Sequence, residues 1–235
     1  MAKKNKEISS SNLIRVKPIT EGQKSVFETW KKGQNQFLFG CAGTGKTFVS
    51  LYLAMQDVLD LKTKYDKVIL VRSLIPTREI GFLPGDEEDK AALYQVPYQN
   101  MVKFMFEQPN EQAFNMLYDR LKNQGSLYFL STSFLRGLTF DNSIIIVDEC
   151  QNLNFHELDT ITTRVGQDSK IVFCGDFSQT DLVKQNEKNG LHDFLRILME
   201  MQEFNCVEFN IGDIVRSGFV RNYLIQKTKL GMGME

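Results

Sequence analysis

The sequence predicts an α/β domain in which a mostly parallel β-sheet carries helices on both faces. Three observations predict it. Short, continuous apolar runs rich in β-branched residues recur along the chain, as strands covered on both faces require. Helical patterns separate most of these runs, the alternation of a doubly wound sheet. The third is Gly40-Cys41-Ala42-Gly43-Thr44-Gly45-Lys46-Thr47, which matches G-x-x-x-x-G-K-[ST]. It is preceded by the apolar run Phe37-Leu38-Phe39 and followed by the helical pattern Phe48-Val49, Leu51 and Leu53-Ala54. Strand, glycine-rich turn and helix form the context that motif needs.

In chain order, residues 1–15 read as a flexible polar tail whose Lys3, Lys4 and Lys6 favour solubility. Thr20 is placed to cap a helix that runs to about Lys32 and stops at Gly33, with Val26, Phe27 and Trp30 on its apolar face. Beyond the first strand at Phe37–Phe39, buried strands are expected at Val68 to Val71, Ser126 to Leu130, Ile144 to Val147 and Ile171 to Cys174. A further candidate lies at Cys206 to Phe209. Helices are expected over Leu93 to Glu107, Gln112 to Lys122, Phe155 to Val165 and Leu191 to Met201. Residues 91–124 form a small all-helical insertion. The main domain spans 16–226, and 227–235 read as a C-terminal tail.

At 235 residues the chain holds one large domain or two small ones. Its 42% apolar and 24% charged residues exclude gross disorder. A net charge of −1 gives no overall basic field, so any nucleic-acid contact needs a local patch. No apolar run approaches a membrane span, and the polar N-terminus has no signal-like region, so the expectation is a cytoplasmic protein without membrane contact. Cys41, Cys150, Cys174 and Cys206 have no C-x-x-C spacing and read as reduced thiols. With only His156 and His192, no metal-ligand cluster is expected apart from Mg²⁺ bound with nucleotide.

The glycines of the loop let backbone wrap a phosphate without a Cβ in the way. The loop N–H groups and the new helix N-terminus then face the anion. Lys46 would reach the β- and γ-phosphates of ATP, and the Thr47 hydroxyl would sit on Mg²⁺. A second signal is the apolar strand Ile144 to Val147 ending in Asp148-Glu149. A carboxylate at that tip suits Mg²⁺, so Asp148 takes that role. Glu149 then orients and deprotonates the attacking water, and the pair favours hydrolysis over transfer to an alcohol. The third signal, Gly175-Asp176-Phe177-Ser178-Gln179, also follows a buried strand and reaches the same ligand-binding edge. Gln179 would sense the γ-phosphate or position water; the alternative is a plain turn capped by Asp176.

These motifs resemble those of superfamily-one helicases. Gln23 lies seventeen residues before Gly40, like the adenine-reading glutamine of such motors. Asp148 to Gln151 resembles their D-E-x-Q box, Gly175 to Gln179 their G-D-x-x-Q motif, and Val215-Arg216-Ser217 their arginine motif. The likeness narrows to the PhoH-like proteins through Gly81 to Asp86, Phe134 to Thr139, Thr163 to Gly166 and Asp213 to Arg216. It covers roughly residues 20–225. Cys150 stands where that family usually has alanine, and Ser217 where it often has histidine.

The resemblance implies a single RecA-like P-loop NTPase domain. It also implies ATPase activity linked to nucleic acid, RNA more often than DNA. Helicases of this kind grip single strands at the place of the loop Arg72 to Arg78. Arg72, Arg78, Tyr94 and Tyr98 would there supply charge and stacking, unless Pro76 and Pro84 simply set turns. Such motors close their ATP site with a second motor domain, for which this chain has no room. The expectation is therefore a homo-oligomeric ring, a hexamer, with ATP sites at subunit interfaces. Arg216, Arg164 or Arg136 would cross between subunits, Arg216 first among them. Three readings stay open: an ATPase working on single-stranded RNA or DNA, a slow nucleotide-dependent regulatory module, and a small-molecule kinase, which the acid pair disfavours.

Overall fold

A computed structural model describes residues 7–73, 87–132, 135, 137–177 and 190–230. Arg78, Arg136, Gln179, the motif Gly81 to Asp86 and residues 1–6 and 231–235 lie outside the described residues. The strands are β1 Asn35–Gly40, β2 Lys67–Arg72, β3 Leu127–Ser131, β4 Ser143–Val147, β5 Lys170–Gly175 and β6 Phe204–Phe209. The helices are α1 Glu21–Lys31, α2 Lys46–Leu59, α3 Glu87–Met105, α4 Glu111–Asn123, α5 Phe155–Thr162, α6 Leu191–Glu200 and α7 Gly218–Lys229. The six strands make one sheet in the order β3-β2-β4-β5-β1-β6. Every pairing in it is parallel.

The apolar strand runs divide by alternation between two buried layers. Leu38, Val68, Leu70, Ile144, Ile146 and Val172 face the layer that also holds Val49, Leu53 and Val58 of α2. Phe37, Ile69, Val71, Ile145, Val147 and Phe173 face the other, against Leu158 and Ile161 of α5 and Phe194 and Leu198 of α6. This is why the inner strands read as unbroken apolar runs. Phe173 anchors the second layer with Phe194 in edge contact, ring centres 5.2 Å apart.

Several boundaries differ from the sequence reading. Part of the expected tail is packed: Ile8 joins the buried layer of α2, Leu13 packs against it, and Ile14 N–H donates to Met105 O at 2.8 Å. Isolated apolar residues in a polar stretch gave no periodic signal, yet they join the buried layer on the α2 side of the sheet. Tyr98, Val102, Met105, Phe114 and Leu121 of the helical insertion belong to that same layer, so the insertion packs onto the sheet. Its first helix begins at Glu87 and runs through Pro97. Helix α5 stops at Thr162 rather than Val165, because Val165 pairs with Phe140 in an isolated bridge. Helix α7 runs past residue 226 to Lys229 and buries none of its residues. No described helix is long and apolar enough to cross a membrane.

Candidate nucleotide site

The strand order sets the site. β1 delivers the glycine loop, β5 lies beside it, and β4 follows β5, so three motif-bearing tips share the carboxyl edge. Gly40 pairs with Phe209 of β6 at φ 120°, and a Cβ there would come within 2.9 Å of Phe209 C and closer still to its N and O. Only glycine allows that approach. Cys41 N–H donates to Phe209 O at 2.8 Å and fixes the start of the loop. Gly45, at φ 85°, then opens α2 without any side-chain cap. The first N–H groups of α2 are thus available to an anion.

Lys46 is buried at the centre. Its Nζ donates to Cys41 O at 2.7 Å and to Gly40 O and Thr44 Oγ1 at 3.3 Å, and pairs with Asp176 Oδ1 at 2.7 Å. Thr47 Oγ1 donates to Asp148 Oδ1 at 2.7 Å. Asp148 is held at the tip of β4 because its N–H extends the ladder to Val71 O at 2.9 Å. Glu149 follows in the left-handed region, at φ 53° and ψ 41°. A non-glycine residue held there is strained, a common feature of working sites. Burial, then the charges of Asp148 and Asp176, push the Glu149 carboxyl above the usual carboxylate range.

Gln151 ties the acidic motifs together. Its Nε2 donates to Glu149 Oε2 at 2.6 Å, and its Oε1 accepts from Asp176 N–H at 3.1 Å. All these groups line or adjoin one cavity of about 730 Å³, which Gln23, Arg72, Tyr98, Val215 and Arg216 also border. Thr47 and Asp148 present hard oxygen donors side by side, a set that fits Mg²⁺ sharing a nucleotide's phosphates. Among the described residues no group of three or more acidic, histidine or cysteine side chains could hold a metal by itself.

Most of the expected residues converge: Gln23, Gly43 to Thr47, Asp148, Glu149 and Arg216 border the cavity, and Gly40 to Ala42 lead into it. The environments of three differ from expectation. The Gln23 carboxamide is a tether, donating to Thr44 O at 3.0 Å and accepting from Ile19 N–H at 3.0 Å. Each of its two polar atoms keeps one further hydrogen-bonding position for a base. Arg216 lies against its own chain's loop, where a Cβ on Gly43 would meet Arg216 Cγ at 3.0 Å. Val215 N–H donates to Gly43 O at 3.0 Å and holds it there. Tyr98 is not free to stack on a base: it is buried, and its hydroxyl donates to Asp148 Oδ2 at 2.7 Å. Burial and the Asp148 charge push that hydroxyl well up, so it remains a donor.

Arg72 keeps the expected position, its guanidinium 5.5 Å over the Tyr94 ring. Arg164 sits after α5, which runs from the carboxyl end of β4 toward the start of β5, so it lies at the opposite edge of the sheet from Lys46. Its Nε donates to Thr160 O at 3.4 Å. Asp176, Gln151 and Asp213 carry more of the geometry than the sequence reading gave them. Asp213 accepts from Gly22 N–H and Asn210 N–H, both at 2.9 Å, and joins α1 to the end of β6. Their signal was their place in the acidic and arginine motifs. The four cysteines are free thiols, and burial pushes each of them up.

The family model described as PhoH-like protein matches residues 15–226. A PhoH-like protein of Synechocystis sp. is 32% identical over 210 residues, covering 89% of this chain and 60% of that protein. Protein PhoH of Escherichia coli is 30% identical over 206 residues, covering 87% of this chain and 56% of its own length. The chain thus spans 56–60% of the length of these two curated relatives. Among solved structures, the large terminase of a thermophilic bacteriophage superposes with a TM-score of 0.51 at 12% identity, over 90% of this chain and 50% of that one. At that identity the likeness is one of fold.

Proposed function

The chain belongs to the PhoH-like protein family, and from that premise we propose that it binds ATP with Mg²⁺ and hydrolyses it. The observation that carries the reading is the 2.7 Å contact between Thr47 and Asp148, which joins the phosphate loop to the β4 acid across 101 positions of sequence. The first amides of α2 receive the phosphates. The Lys46 ammonium exchanges loop carbonyls and Asp176 for phosphate oxygens, which are charged acceptors stronger than the neutral carbonyls. Thr47 and Asp148 would hold the metal, which would supply charge neutralisation at the phosphates. Glu149 orients water and takes its proton, with Gln151 fixing the carboxylate. Arg216 reaches the phosphates from its own chain. Gln179, three positions beyond Asp176, is proposed to sense the γ-phosphate.

The finer proposal is that hydrolysis serves work on single-stranded RNA or DNA in a cytoplasmic homo-oligomeric ring, a hexamer. Support for a nucleic-acid path comes from Arg72 and Tyr94 at the tip of β2. With Arg216 at its own loop, Arg164 on the opposite edge is the described candidate arginine that is free of its own chain's site and so proposed to reach a neighbour's. Mixing Lys46→Ala with Arg164→Ala subunits tests it: recovered turnover supports shared sites, and strictly proportional loss refutes them. The competing reading, a slow regulatory ATPase, is favoured by the contacts that hold both Lys46 and Asp148.

The deciding assay is phosphate release with and without RNA, run beside Glu149→Gln. Turnover is expected to fall by about 10²–10⁴ in that variant, the worth of a positioned base. Because the Glu149 pKa is raised, the acid side of the rate profile falls off above the ordinary glutamate range. Normal hydrolysis by the variant would remove Glu149 from its role, and RNA-independent rates would favour the regulatory module.

A further inference from the structure

We propose that Tyr98 is a positioning residue for the metal-binding carboxylate of Asp148, which makes helix α3 a working wall of the nucleotide site. The inference rests on the Mg²⁺-nucleotide reading above. It starts from how the Asp148 carboxylate is shared. Thr47 donates to Oδ1 and Tyr98 to Oδ2, each at 2.7 Å. Two donors, one on each oxygen, fix the plane of the carboxylate and reserve Oδ1 for the side of the phosphate loop. Asp148 is only 8% exposed and Tyr98 only 2%, so water does little of this work.

The tyrosine is itself held in place. Its ring lies 5.8 Å from that of Phe129 on β3, and Pro97 and Met101, its neighbours on α3, line the same cavity. One helical turn earlier, Tyr94 lies under the Arg72 guanidinium. Residues four apart share a helix face. The face that touches the tip of β2 therefore also holds the metal-binding acid. Partners that orient a ligating group commonly govern metal affinity by 10–100-fold. The bland alternative is that Tyr98 merely satisfies a buried acid and supports the fold.

Metal dependence separates the two. Tyr98→Phe removes the hydroxyl and keeps the ring against Phe129. The measurement is binding of a fluorescent ADP analogue across a Mg²⁺ titration and in EDTA, with thermal unfolding of the nucleotide-free protein alongside. The Mg²⁺ concentration for half-maximal binding is expected to rise about tenfold or more, with binding in EDTA within about twofold of the parent. An unchanged Mg²⁺ dependence overturns the inference alone. So does equal weakening with and without metal accompanied by lower thermal stability, which is the signature of a support role. Parent protein that binds the analogue without any Mg²⁺ effect, or not at all, overturns the inference and the functional reading together. Should the phenylalanine variant not fold, 3-fluorotyrosine incorporated in the parent gives the same decision by ¹⁹F resonance. The Tyr98 signal is expected to move when Mg²⁺ is added to the ADP complex, and a static signal refutes the proposal.

Discussion

Replacing Gly40 by alanine separates two physical costs that the loop imposes. At φ 120° the position is one that L side chains rarely adopt. Such backbone strain costs about 1–3 kcal/mol. A Cβ would also lie within 2.8 Å of Phe209 N and closer still to Phe209 O, atoms of the strand paired with β1. Backbone cannot swing aside as a flexible side chain can, and overpacking of this kind adds about 1–3 kcal/mol. The expected loss for Gly40→Ala is therefore about 2–6 kcal/mol, together with loss of nucleotide binding as the Cys41 N–H to Phe209 O bond is displaced. Gly33→Ala is the internal comparison, since Gly33 has φ 79° but nothing within 4 Å of a built Cβ. It carries strain alone and is expected to lose about 1–3 kcal/mol with binding intact. Urea unfolding monitored by Trp30 fluorescence, with nucleotide titration of each variant, reads both effects. Equal losses at the two positions would refute the steric argument.

Lys170 makes a prediction about pH. It is 2% exposed, its Nζ lies 4.1 Å from the Trp30 ring centre and donates to Trp30 O at 3.2 Å, and burial lowers its pKa from 10.5 to about 8. Between those values the unfolded chain binds the extra proton, so stability rises with pH from about 8 to 10.5. The full rise is about 3 kcal/mol, and Lys170→Met should abolish it in denaturant midpoints measured across that range. Asp213→Ala should cost about 2–4 kcal/mol, because the Gly22 and Asn210 amides both lose a carboxylate partner. Because α1 carries Gln23, the same variant should weaken nucleotide binding, whereas an exposed control, Asp193→Ala, should leave both readings unchanged.

The four inner strands, β1, β2, β4 and β5, were legible because they are buried on both faces, whereas the edge strands β3 and β6 are only partly covered. Ile144 to Val147 could hardly be anything but a central parallel strand, and observed strand ends moved by only a residue or two. The phosphate loop and the β4 acids were legible because their chemistry is local: Lys46 and Thr47 adjoin the turn that positions them, and Asp148 ends its own strand. Other features depended on distance. Tyr98 meets Asp148 across 50 positions, and no sequence pattern gives the rotation of an inserted helix against a sheet edge. Its helical spacing from Tyr94 was visible, but which face met the site was not. Arg216 was assigned to a neighbour because the motif is paired with a second motor domain in helicases. Here one backbone bond, Val215 N–H to Gly43 O, folds that segment onto its own loop. Ile8 and Leu13 looked like tail residues because two isolated apolar side chains carry no period, yet they pack into the buried layer that holds α2.

The central claim is that the amides around Lys46 grip a triphosphate facing Asp148 and Glu149. A crystal structure with Mg²⁺ and a non-hydrolysable ATP analogue measures it directly. The account predicts Lys46 Nζ released from Cys41 O and Asp176 onto phosphate oxygens, with the metal between Thr47 and Asp148. An analogue bound elsewhere, with Lys46 still held by Cys41 and Asp176, would contradict it.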